Sequence, residues 1–203
     1  MEILTPAQYP EYEAFVQSHP QGGFTQSTAW PKVKNNWESA VVASRDGRGS
    51  LVGGMLVLIQ PIPQLHTSFL YAPRGPVCDL HDQAVLADLV AGADLLAKKY
   101  HAHTFKMDPD VPMADRRFQQ LAQQLGFAQS YGPDGFEGIQ ARFNFRLYLN
   151  GRTEDQLFMD LTQGARRKVR IALKNGVQVR PVGPEYLGQF MEVADTQTLF
   201  DNP

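Results

Sequence analysis

Apolar and polar positions alternate over the valine-rich segment Glu38–Arg45, and Leu51–Gln60 reads as its return strand, with Asp46-Gly47-Arg48-Gly49-Ser50 between them. This pattern predicts a β-hairpin, because the glycines supply the positive φ that tight turns need. Gly53 and Gly54 inside the second strand point to a bulge or a close backbone approach. A third strand, Thr67–Ala72, ends at Pro73-Arg74-Gly75-Pro76. From Asp82 to Tyr100 the period changes: Val85, Leu86, Leu89, Val90, Ala93, Leu96 and Ala97 recur at the spacing of one helical face. A strand over Thr104–Met107 ends at Asp108-Pro109, and a helix over Ala114–Leu125 stops at Gly126. A loop carrying Gly132, Pro133, Gly135 and Gly138 leads to a strand over Ile139–Leu149. Ahead of the hairpin, Met1–Leu4 reads as an edge strand and Thr5-Pro6 as the N-cap and first residue of a helix to Ser18. Gly22-Gly23 form a loop, and Ser27 or Thr28 caps a short helix from Trp30 to Lys34.

At Asn150-Gly151 the pattern restarts. Thr153 is expected to cap one long helix to Lys174, stopped by Asn175-Gly176. Phe158, Leu161, Ala165, Val169 and Ala172 are expected to form its buried face. A strand Val177–Pro181 and a helix Pro184–Thr198 follow, before Phe200-Asp201-Asn202-Pro203. Strands joined by crossover helices imply an α/β fold, a mixed sheet flanked by helices on both faces. The domains expected are residues 1–149 and the start of a second domain over 150–203, whose strand and two helices have no sheet of their own. On that ground the chain is expected to be an N-terminal fragment.

Composition narrows the function. The chain has 203 residues, a formal net charge of −2 and one cysteine, Cys78. There is no global positive field for non-specific nucleic-acid binding. A four-cysteine zinc site and an intrachain disulfide are both excluded. No apolar run approaches the roughly 20 residues that span a bilayer, so no integral membrane segment is expected. Met1–Phe15 lacks a signal peptide's basic and apolar regions. The reading is a cytoplasmic protein. His19, His66, His81, His101 and His103 show no metal-ligand spacing, so no metal is expected. A Gly-x-Ser-x-Gly elbow and a P-loop are absent.

The element order resembles the N-acetyltransferase-like (GNAT) fold, followed by the truncated start of a second GNAT-like domain. Four segments resemble the FemABX family of peptidoglycan-bridge aminoacyltransferases, and in particular its FemX type. They are Phe24-Thr25-Gln26-Ser27 with Trp30-Pro31-Lys32-Val33-Lys34; Tyr71-Ala72-Pro73-Arg74-Gly75-Pro76-Val77; Lys106-Met107-Asp108-Pro109; and Arg166-Arg167-Lys168-Val169-Arg170-Ile171-Ala172-Leu173-Lys174-Asn175-Gly176-Val177. The resemblance implies transfer of an amino acid from an aminoacyl-tRNA ester to the lysine amine of a peptidoglycan precursor, UDP-MurNAc-pentapeptide or lipid II. The ester is already activated, so no cofactor is implied. It also implies a monomer, and catalytic groups of a second domain beyond Pro203.

By the same resemblance, Lys34 contacts the diphosphate or uridine part of the acceptor, a role a compact ammonium suits. Its alternative is an exposed surface lysine, and Lys32 is the competing assignment. Trp30 stacks on a ligand or fills the core. Arg74 and Gly75 follow a strand end, where α/β sheets bind ligands; the alternative is a structural turn. Asp108 is weighed as a base but read as holding the following loop. Arg166, Arg170 and Lys174 at i, i+4 and i+8, with Arg167 beside them, form a stripe for tRNA or precursor phosphates, or a solvated face. Two other functions compete: a non-catalytic precursor-binding module, and an acyl-CoA-dependent acetyltransferase. The second needs a glycine-rich pyrophosphate loop before the Asp82 helix, and Pro73–Leu80 does not match one.

Overall fold

The computed structural model describes residues 1–112, 114–130 and 147–195. The chain divides into two compact units, Met1–Gly135 and Phe136–Pro203.

The hairpin is the centre of the first unit. Strands β2 (Glu38–Arg45) and β3 (Leu51–Ile62) pair antiparallel, with Val41 opposite Leu56. Because side chains alternate across a strand, Ala40 and Val42 of β2 join Met55, Val57 and Ile59 in one core, while Val41, Ala43 and Leu56 lie in a second. The sheet is thus buried on both faces, as the sequence pattern predicts. Strand β1 (Glu2–Ile3) extends it beyond β2. Strand β4 (Thr67–Ala72) pairs antiparallel with the far half of β3. Helix α3 (Gln83–Lys99) then crosses over to β6 (Ala102–Met107), which lies parallel to β4. Helix α3 and α4 (Arg116–Gln124) cover the first face through Leu86, Leu89, Ala93, Leu96, Phe118 and Leu121. The second face is covered by α1 (Tyr9–Ser18) through Tyr12 and Val16.

Two glycines of β3 exist for close approach. A Cβ on Gly53 would sit 2.5 Å from Val85 Cγ1, and one on Gly54 2.6 Å from Tyr12 Cε2. Gly53 and Gly54 also pair with a strand the sequence does not announce, β5 (Val77–Cys78). Strands β4 and β5 therefore share one edge of β3. Between them runs the turn Pro73–Pro76, which leaves Leu56 of β3 without a strand partner on that side.

The second unit differs from the expected long helix. Helix α5 (Glu154–Asp160) stops at Leu161, and α6 (Gln163–Lys174) restarts with Thr162 as N-cap, its hydroxyl accepting from the Ala165 amide at 3.3 Å. Arg166 drives the break: its guanidinium donates to the carbonyls of Met159 at 2.6 Å and Leu161 at 2.5 Å, satisfying groups that α5 leaves open. The face expected to be buried is not: no residue of either helix is buried, and Val169 is 39% exposed. Helix α6 ends as predicted, with Gly176 at φ 71° and the Val177 amide bonded to Ala172 O. Val177–Pro181 makes no ladder among the described residues, and Val179 is 96% exposed. A turn of 3-10 helix at Pro184–Tyr186 leads into α7 (Leu187–Asp195). The predicted loop at Gly132–Gly138, residues 139–146 of the expected strand and the chain end from 196 lie outside the described residues; Leu147–Leu149 are not in a strand.

Candidate functional site

Three segments far apart in sequence meet beside the C-terminal ends of the parallel strands β4 and β6. Gln26 is the hub. Its side chain is fully buried, and its carboxamide faces Leu56: the Leu56 amide donates to Gln26 Oε1 at 2.8 Å, and Gln26 Nε2 donates to Leu56 O at 3.3 Å. The side chain thus takes the place of the strand peptide missing between β4 and β5. Nε2 also donates to Pro73 O at 2.8 Å, and the Thr25 hydroxyl donates to the same carbonyl at 3.1 Å. Tyr12, buried on α1, donates to Gln26 O at 2.8 Å, and burial pushes its phenol pKa upward. In the sequence Thr25 and Gln26 stand only as part of a family-like segment, with no role of their own. A polar pair in a short loop does not reveal partners 30 and 48 residues away.

The turn after β4 is fixed from its other side by Asp108. One carboxylate oxygen accepts from the Arg74 amide at 2.7 Å, the other from the Tyr71 hydroxyl at 3.0 Å. Asp108 therefore braces the turn after β4, rather than the loop that follows it. Arg74 stands at φ 54°, half-buried, and its guanidinium has no hydrogen-bond or ion-pair partner among the described residues. Gly75 is buried, and the space beside it is already taken: a Cβ there would lie 2.6 Å from Gln26 Nε2. The close approach that calls for a glycine is made by the protein's own amide.

The segment Phe24–Lys34 continues into helix α2 (Trp30–Val33). Trp30 is half-buried against the α1-side core and meets the ring of Phe24 edge-on at 5.3 Å, so packing accounts for it. Lys32 and Lys34 are exposed and have no ion pair among the described residues. No acidic residue occurs from Phe24 to Trp37, so this segment by itself carries positive charge on a chain that is negative overall. The Trp37 amide donates to Lys34 O at 2.9 Å. The Trp37 indole lies edge-on to Phe69 at 6.1 Å, and Phe69 stacks with Tyr71 at 6.4 Å. A half-buried row of rings thus runs along β4 from beside Lys34 to the Asp108–Arg74 turn. This row combines flat apolar surface with ammonium and guanidinium groups at its two ends, a combination suited to a nucleotide-like or phosphate-bearing ligand.

The cationic stripe is only partly available. Arg166 serves the α5 carbonyls, and the Arg170 guanidinium sits 5.2 Å over the Phe158 ring. Arg167 and Lys174 are exposed. Cys78 is buried, which pushes its thiol up to about 12 and makes it a poor nucleophile. At the start of α3, the Asp82 carboxylate accepts from the Ala84 and Val85 amides at 3.0 and 3.1 Å. The helix terminus that would receive a pyrophosphate already faces a carboxylate, which disfavours the coenzyme A reading.

Comparison with known proteins follows the same lines. The FemAB family profile matches residues 8–198. A lipid II:glycine glycyltransferase of Staphylococcus haemolyticus is 32% identical over 189 residues, covering 90% of this chain and 44% of that enzyme. The UDP-N-acetylmuramoylpentapeptide-lysine N(6)-alanyltransferase of Weissella viridescens is 31% identical over 184 residues, covering 88% of this chain and 54% of that enzyme. The crystal structure of FemX superimposes with a TM-score of 0.79 at 28% identity, over 99% of this chain and 50% of FemX. The chain spans about half the length of the curated relatives it matches.

Proposed function

The chain belongs to the FemAB family, and from that premise we propose that it is the acceptor-binding part of an aminoacyl-tRNA-dependent aminoacyltransferase of peptidoglycan-bridge synthesis. The acceptor is a lysine-containing precursor, UDP-MurNAc-pentapeptide or lipid II, the two substrates that the relatives' names carry. In the reaction, the lysine amine attacks the ester carbonyl of the aminoacyl-tRNA. An amide bond forms, the ester C–O bond breaks, the tRNA hydroxyl departs and the amine gives up a proton. No cofactor is required, because the ester supplies the driving force; the protein's task is to orient amine against ester.

One observation carries the assignment to the first unit. The three segments resembling the family there converge on one end of the sheet, and leave Lys34 and Arg74 with cationic groups unpaired among the described residues. Lys34 is assigned to the precursor's diphosphate and Arg74 to its anionic groups, with Lys32 adding positive charge. Trp30 and Gly75 build the site instead of touching the ligand. Arg167 and Lys174 are assigned to phosphates of the donor tRNA, with Arg166 holding their helix and Arg170 resting on the Phe158 ring. Precursor binding is assigned to residues 1–149, residues 150–203 are read as part of a second domain, and no residue of this chain is assigned to catalysis. The protein acts as a cytoplasmic monomer. No helix among the described residues is long and apolar enough to cross a membrane.

Calorimetric titration with UDP-MurNAc-pentapeptide tests this. Lys34→Ala is expected to weaken binding about tenfold, or ~1.4 kcal/mol. A folded chain that binds the precursor equally well with and without Lys34 refutes the assignment. Lipid II in detergent serves as the second arm, to separate the two acceptor forms.

A further inference from the structure

A helix of four residues does not hold itself in water, yet α2 leads directly into its C-cap Lys34, the lysine on which acceptor binding is proposed to depend. Both of its ends are fixed from outside. Beyond its far end, the Trp37 amide closes on Lys34 O and the indole rests against Phe69. At its start stands Glu13, half-buried on α1. Glu13 Oε1 accepts from the Thr28 amide at 2.5 Å and the Thr28 hydroxyl at 2.6 Å. The Ser27 hydroxyl donates to Oε2 at 3.1 Å. Trp30, the first residue of α2, bonds through its own amide to Ser27 O at 2.9 Å. The carboxylate is therefore spent on the turn that launches α2. It makes no ion pair with Lys32 or Lys34 among the described residues.

We propose that Glu13 is a positioning residue for Lys34: it clamps Ser27 and Thr28 and so sets where α2 presents the lysine ammonium. The inference rests on the acceptor-binding reading of Lys34 and adds the group that controls it. Glu13 itself touches neither substrate nor reacting atoms.

The test is a double-mutant cycle on binding of UDP-MurNAc-pentapeptide to the chain, combined with NMR of the indole N–H signals of Trp30 and Trp37, its only tryptophans. Glu13→Ala is expected to weaken binding by about three- to tenfold in the native background and to add nothing once Lys34 is alanine. Glu13→Gln, which keeps an oxygen for the Thr28 amide, restores most of the affinity. Thr28→Val, which removes one clamp bond from the opposite side, gives a smaller loss and serves if Glu13→Ala fails to fold. Both indole signals shift in Glu13→Ala. Equal losses in the two backgrounds, or indole signals that stay in place, overturn the proposal while leaving the acceptor reading intact. Unchanged binding in Lys34→Ala overturns the acceptor reading instead, and the indole signals then still decide whether Glu13 places α2.

Discussion

Gly75→Ala probes the hub of the site directly. The added methyl would lie 2.6 Å from Gln26 Nε2, 2.8 Å from Cδ and 2.9 Å from Oε1. All three contacts are inside the distance that side-chain carbons tolerate, and the amide they strike is not free to swing away. It is held by the Leu56 amide and carbonyl and by Pro73 O. Overpacking of this kind costs about 1–3 kcal/mol. With a urea slope of about 2 kcal/mol/M, a cost of ~2 kcal/mol lowers the unfolding midpoint by about 1 M. Gln26→Ala has its own cost of about 1–3 kcal/mol, because the buried Leu56 amide loses its acceptor. In that background, however, the Gly75 methyl enters vacated space and should add less than about 0.5 kcal/mol, leaving a coupling of ~1.5 kcal/mol. The assay is urea unfolding followed by tryptophan fluorescence. Trp30 and Trp37 both lie in the Met1–Gly135 unit, so the signal reports that unit alone. If Gly75→Ala costs the same with and without Gln26, or costs nothing, then the amide does not fill the glycine's space and the account of the turn is wrong.

Four further outcomes are expected. Gly92→Ala should gain about 1 kcal/mol in an isolated helix, but here its Cβ would meet Val42 Cγ1 at 2.2 Å; chemical denaturation should show a net loss of about 1–3 kcal/mol. Cys78, with its thiol pushed up to about 12 by burial, should resist iodoacetamide at pH 8 in the native protein and label at the rate of a free thiol in urea. Asp115 accepts from the Phe118 amide and pairs with His81, which holds its carboxyl below the usual carboxylate range. Its stabilisation is therefore complete above the ordinary carboxylate value of about 4 and is lost as pH falls through the depressed one. The difference in melting temperature between Asp115→Ala and the native chain should accordingly shrink on acidification, and a difference independent of pH would refute the charged contribution. Thr162→Val should destabilise the start of α6 by about 1 kcal/mol, read as faster amide exchange at Gly164 and Ala165.

What the sequence determined by itself is what local interactions encode. The hairpin is legible because alternation and a glycine turn act within a few residues, and β2 and β4 fall on the predicted residues. The same holds for α3, where the apolar face marks the helix, and for the ends of α4 and α6, where Gly126 and Gly176 take positive φ. The family segments were legible too. The tertiary structure decided the rest. The two residues of β5 are a strand only because Gly53 and Gly54 offer them an edge. The break before α6 follows from Arg166 reaching back to Met159 and Leu161; Thr162 as a second cap was its one local sign. The reason for Gly75 lies in the Gln26 carboxamide, 49 positions away in the sequence. An amide, a hydroxyl or a guanidinium announces only that it needs partners. Which carbonyl meets it is settled when the sheet closes, because burial without that partner would cost more than the fold can spare.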